Sequence, residues 1–142
     1  MKRTVGGMIK QINDTLVKEA NNDLRPIGLT LSQHAMLLVL FEAPDGRLTM
    51  KELERGLHVA QPTAAGIAAR LEKKNLVESS GTPEDKRVKI VAITEKGREI
   101  CRDSIVHMGE TERKLLSPLS EEEQKTLLDL LEKVSDAAVE RQ

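Results

Sequence analysis

Aromatic side chains are almost absent: the 142 residues include no tryptophan, no tyrosine and one phenylalanine, Phe41. Single-stranded nucleic acid is held by stacking bases on aromatic rings, so that mode of binding has little to work with here. Cysteine occurs once, at Cys101, which excludes an internal disulfide and fits a reducing compartment. No apolar run approaches the ~20 residues of a membrane-spanning helix. The first residues, MKRTVGGMIKQ, lack the apolar stretch of a secretory signal. The expectation is a cytoplasmic protein without membrane association. A Gly-rich phosphate loop, a nucleophile motif and a His-rich metal spacing are also missing, and His34, His58 and His107 are scattered. No enzyme activity, cofactor or metal is expected.

Net charge is nearly absent too, at −1, but it is unevenly spread. Residues 1–44 carry +1, residues 45–100 carry +2 and residues 101–142 carry −4. The acidity belongs to the last third. Binding of an anion depends on the field of one face, not on the sum. With 39% hydrophobic and 32% charged residues, the chain can bury a core and is not of disordered composition.

What is present is mostly helical. Val5, Met8, Ile9, Ile12, Leu16 and Ala20 recur at helical spacing over residues 4–23. Ser32 is the expected cap of a second helix, QHAMLLVLFEA, apolar nearly all round and so placed at the centre of a domain. Thr49 and Glu52 form a capping box for a short helix, MKELERGL. After a tight turn, HVAQP, comes TAAGIAARLEKKN, with Gln61 the expected and poor cap, Pro62 in its first turn, and Asn75 at a left-handed end. LVESS and RVKIVAI read as two strands around GTPEDK, with Val88, Ile90 and Ala92 on one face and Arg87 and Lys89 on the other. Thr94 caps a long helix through about Leu116. Ser120 and Glu123 box the start of a last one.

A short helix, a tight turn, a second helix and a charged hairpin follow the order of a winged helix-turn-helix. The second helix of such a pair fits the major groove of double-stranded DNA. The hairpin then carries Lys86, Arg87 and Lys89 toward phosphates and a flanking minor groove. The fourth helix exposes a small face of Ala65, Gly66 and Ala69. Gln61, Thr63 and Arg70 are the side chains able to reach base edges or phosphates. Gln suits adenine and the Thr methyl suits thymine. Direct readout is thin, and DNA shape takes a larger share.

The stretch LTMKELERGLHVAQPTAAGIAARLEKKNLV, followed by DKRVKIVAITEKG, resembles the MarR family of transcriptional regulators, and the likeness runs over almost the whole chain. Asp85, Arg87, Ile93, Thr94 and Gly97 fit the family's wing signature. Asn75 and Ser79 depart from it, standing where Gly and Arg are usual. The resemblance implies that Arg87 enters the minor groove and that Asp85 holds the wing by pairing with an arginine such as Arg70. The candidate DNA-contacting set is therefore Gln61, Thr63, Ala65, Arg70, Lys86, Arg87 and Lys89, with Asp85 as support.

The expected fold is mainly α with a small β-hairpin wing. Residues 1–30 give an N-terminal helix for dimerisation, 31–97 the winged helix-turn-helix, and 98–142 the C-terminal dimerisation helices. The first helix and the last two carry apolar faces that a lone domain would leave wet, which marks a partner surface. The resemblance implies a two-fold homodimer on a pseudo-palindromic operator, acting as a repressor. It also implies a cleft for a small aromatic or phenolic effector, lined by the first, second and fifth helices. Some relatives sense oxidants through a cysteine in the N-terminal helix. This chain has none there, and Cys101 reads as a small core residue. The competing reading is a winged helix that binds proteins rather than specific DNA.

Overall fold

The computed structural model describes residues 3–81, 84 and 87–141. Helix α1 (Val5–Leu24) is capped by Thr4, whose Oγ1 accepts the Gly7 N–H at 3.0 Å. It runs into a 3-10 turn at Arg25–Ile27, which closes on Gly28 in the left-handed region at φ 72°. Helix α2 (Leu31–Glu42) begins at Thr30, not at the expected Ser32. Thr30 Oγ1 accepts the Gln33 N–H at 3.2 Å, and Gln33 Oε1 accepts the Thr30 N–H at 3.3 Å. A reciprocal box needs a Glu or Gln three residues after the cap. Thr30 has Gln33, whereas Ser32 has Ala35 and falls inside the first turn. Met36, Leu37 and Leu40 of α2 are fully buried, as its apolar surroundings require.

A 3-10 turn at Pro44–Gly46 leads into β1 (Arg47–Thr49), a strand the sequence pattern did not suggest. Three residues are too few to show alternation. Helix α3 (Met50–Leu57) carries the expected Thr49/Glu52 box and ends on His58 at φ 54°. Helix α4 (Gln61–Lys73) is capped by Ala60, one residue before the expected Gln61, and no side chain caps its N–H groups. Ala60 holds the extended backbone of a cap, and Gln61 already belongs to the first turn. The far end is a Schellman turn. Asn75 sits at φ 60°, its N–H bonds Glu72 O at 2.9 Å, and the Leu76 N–H bonds Leu71 O at 3.0 Å.

Strands β2 (Val77–Gly81) and β3 (Lys89–Ile93) form the hairpin, and β1 adds to its other side, giving an antiparallel sheet in the order β1-β3-β2. Val91 is the central pairing residue, opposite Leu48 and Ser79. The alternation of β3 is as expected, but its more buried face is the one that also carries Lys89. Val91 and Ile93 are buried, Ile90 and Ala92 are half-buried, and Val88 is exposed. As the middle strand, β3 is packed against by both α2 and α3. Only the base of the hairpin lies over the core, so polar residues near its tip do not reveal which face turns inward below. Arg87 precedes β3 and is exposed.

Helix α5 (Glu95–Leu116) follows at once. Thr94 Oγ1 accepts the Gly97 N–H at 3.1 Å, and the same hydroxyl donates to Asn75 O at 2.7 Å. One side chain thus caps α5 and anchors the exit of α4. A Cβ on Gly97 would lie 2.5 Å from Leu76 O and 2.8 Å from Ile93 Cγ1. Glycine is required there by close packing, which gives a physical reason for the Thr94–Gly97 spacing.

Met1–Cys101 make one compact unit and Arg102–Gln142 a second. The first holds the core, in which Leu37, Leu53, Ala64, Leu71, Val77, Val91 and Cys101 are buried together. In the second, α6 (Glu121–Glu140) starts at the expected Ser120/Glu123 box. Gln124 Nε2 donates to Leu116 O and Leu119 O, each at 3.2 Å, which fixes the preceding turn. No described residue from 102 to 141 is buried. Among the described residues, no single helix is long and apolar enough to cross a membrane.

Candidate nucleic-acid interface

The turn between α3 and α4 is short because His58 accepts a left-handed backbone and the Val59 N–H closes on Glu54 O at 3.1 Å. Leu53 is buried from α3, and Ala64, Ile67, Ala68 and Leu71 are buried from α4. This packing turns the opposite side of α4 outward. At helical spacing, the strip farthest from the core is Pro62, Gly66, Ala69 and Lys73. Three of these are small or rigid. The helix can therefore approach a surface closely but presents few groups to base edges.

Helices α3 and α4 and the wing enclose a groove of about 780 Å³. It gathers Gln61 and Ala65 from α4 with Arg87 and Lys89 from the wing, which are four of the residues singled out from the sequence. Thr63 and Arg70 are exposed on α4 but do not line it. A Cβ on Gly66 would meet the Arg70 guanidinium at 3.4 Å, so Arg70 lies back along its own helix. Lys86 and Asp85 fall outside the described residues, and with them the pairing of Asp85 to Arg70.

The groove also contains Lys51 and Arg55 of α3, which sequence reasoning passed over. Their spacing of four places them on one face of the helix, and that was the available signal. Glu52, Glu54 and Glu72 line the same groove. Glu52 is committed to its cap. The Thr49 backbone N–H, then the Thr49 hydroxyl, hold its carboxyl below the usual carboxylate range. The wall is thus a mixed field with one more cation than carboxylates, on a concave surface with an uncapped helix start beside it. The N–H groups of that start carry the positive end of the helix dipole and suit a phosphate oxygen.

Two other groups are packing residues. His34 is buried in α2, its Nε2 has no hydrogen-bond partner among the described residues, and burial lowers its pKa. Cys101 is fully buried, and burial pushes its thiol up to about 11. A thiol that far above neutrality holds almost no thiolate, the reactive form. The native protein is expected to leave Cys101 unalkylated by iodoacetamide at pH 8, with labelling on denaturation. Equal labelling rates in both states would contradict this. No group of three His, Cys, Asp or Glu comes together as a metal site among the described residues.

A family model described as MarR family matches residues 27–88. The chain is 32% identical over 126 residues to YwoH of Bacillus subtilis, an uncharacterized HTH-type transcriptional regulator, covering 87% of this chain and 90% of that protein. A mutant MarR from E. coli superposes with a TM-score of 0.79 at 29% identity, over 94% of this chain and 98% of that one. The S. aureus MepR–DNA complex superposes with a TM-score of 0.84 at 24% identity, over 96% of this chain and 99% of that one, a likeness of fold. The sequence relative, the family model and the helix-turn-helix with its wing agree on one assignment, to a family of regulators rather than enzymes. The chain belongs to the MarR family of winged helix-turn-helix, DNA-binding transcriptional regulators.

Proposed function

We propose that the protein is a homodimeric repressor that reads a pseudo-palindromic operator in double-stranded DNA. In this reading α4 enters the major groove and the wing places Arg87 at the flanking minor groove. Gln61 and Ala65 meet the major-groove edges, Arg70 and Thr63 reach the backbone, and Lys86 and Lys89 steady the wing on phosphates. The observation that carries the reading is the groove between α3, α4 and the wing, which brings Lys51, Arg55, Arg87 and Lys89 to one concave wall.

The dimer is supported by apolar surface. Val5, Ile9 and Ile12 of α1 are exposed, as are Ile105, Val106 and Met108 of α5 and Leu127, Leu128, Leu130, Leu131 and Val134 of α6. A run of forty described residues, 102–141, with no buried member has no core of its own. Such a surface calls for a partner, and a second copy supplies matching helices by symmetry. On this reading residues 1–30 and 98–142 serve dimerisation and the winged unit at 31–97 serves DNA. Two recognition helices would then lie about one DNA turn apart. By likeness to its family, the dimer is released by a small aromatic or phenolic effector.

The test is selection of bound duplexes from a random pool, with sedimentation of the free protein alongside. The expected result is an enriched inverted repeat and a dimer at micromolar concentration. A monomer, or a pool that enriches no sequence, would overturn the reading.

A further inference from the structure

We infer that Glu72 sets the pitch of the wing against the recognition helix, and so acts as a positioning residue for Arg87. The inference rests on the DNA-binding reading above. Glu72 stands near the end of α4, and its Oε1 accepts the backbone N–H of Ser79 at 3.1 Å. Ser79 belongs to β2, which is an edge strand. An edge strand has N–H groups turned away from its partner and in need of an acceptor. Glu72 supplies one from the very helix whose angle to the wing matters.

Among the described residues, further hydrogen bonds sit at the base of the hairpin. The Schellman turn holds Asn75 and Leu76, the Thr94 N–H bonds Leu76 O at 3.0 Å, and Thr94 Oγ1 bonds Asn75 O. All of these fix the pivot. Ser79 lies three residues farther out, so the Glu72 bond acts on the arm. Arg87 lies two residues past the outer end of β3 and seven from Thr94, on the order of 20 Å of chain from the pivot at the usual strand rise. A tilt of about 10° there would move the guanidinium by about 3 Å, the length of a hydrogen bond. A minor-groove contact does not survive that displacement.

Glu72 also lines the groove that contains Arg87 and Lys89. A carboxylate facing a DNA-binding wall costs affinity through repulsion of phosphates. Its hydrogen bond to Ser79 supplies an opposing benefit, and the two effects can be separated. Glu72→Gln keeps an acceptor oxygen and removes the charge. Glu72→Ala removes both.

The experiment titrates the selected duplex with wild type, Glu72→Gln, Glu72→Ala, Arg87→Ala and the Glu72→Ala/Arg87→Ala double variant, with thermal melting of each. Glu72→Ala is expected to weaken binding about fivefold per chain, the scale of one exposed hydrogen bond. Glu72→Gln is expected to bind as tightly as wild type or tighter. In the Arg87→Ala background, Glu72→Ala should change affinity by less than about twofold, within the usual error of additivity, because the contact it positions is already gone. Tighter binding by both single Glu72 variants would show a repelling charge only and overturn the inference. An equal loss with and without Arg87 would also overturn it, as a general loosening of the fold. A wild-type chain that binds no duplex would sink the DNA reading itself, and this inference with it.

Discussion

Leu71→Ala is expected to lower the stability of the fold by about 2–5 kcal/mol, the range for truncating a fully buried leucine. Leu71 lies on α4, buried in the core cluster with Leu37, Leu53 and Val91. Removing three carbons loses their transfer free energy and leaves a cavity, because helices packed on several sides cannot all collapse inward. Against a typical total of about 5–15 kcal/mol, that loss brings the unfolded state within reach of physiological temperature. The backbone bond from the Leu76 N–H to Leu71 O remains available in the variant, so the turn into β2 is not itself removed. Urea denaturation of both proteins measures the difference. A loss under about 1 kcal/mol would mean that the site closes up or was never tightly packed.

Arg87→Ala is expected to leave stability nearly unchanged and to weaken operator binding by about 1–3 kcal/mol per chain, the range for a specific arginine contact. Arg87 is exposed and lies outside β3, so truncation opens no core cavity. A guanidinium in a narrow minor groove meets strong negative potential, which its loss forfeits. A dimer counts the loss twice. Operator titration beside thermal melting decides the matter. Early melting with normal binding would make Arg87 a structural residue and detach the wing from DNA recognition.

The features legible in the sequence are those with local chemistry. Capping boxes at Thr49/Glu52 and Ser120/Glu123, the Thr94 cap and the left-handed Asn75 depend on residues within four positions of one another, and each stands as expected. Thr30 is harder to see because Ser32, two residues on, has an equally good capping side chain. Only the box partner Gln33 separates the two. Strand β1 is invisible because its three residues are defined by pairing with β3, far away in sequence. The inward face of β3 is hidden for the same reason. Which of two alternating sets is buried depends on what covers the strand, and here α2 and α3 decide it.

The groove divides the same way. Gln61, Arg87 and Lys89 can be placed from the order of helix, turn, helix and hairpin. Lys51, Arg55 and Glu72 cannot, because their part depends on the angles at which α3, α4 and the wing meet. Glu72 in particular reads as a solvated charge until the Ser79 N–H is seen against it.

The central claim is that this wall binds the phosphate backbone of duplex DNA, and salt tests it most directly. Affinity for the selected duplex is to be measured from about 50 to about 200 mM salt. Binding driven by phosphate contacts gives a straight fall of log affinity against log salt, with a slope of about −0.9 for each phosphate neutralised. A steep line is expected for the wild type and a shallower one for Lys51→Ala/Arg55→Ala, which removes two cations from the groove. Affinity that stays flat across the range would contradict it.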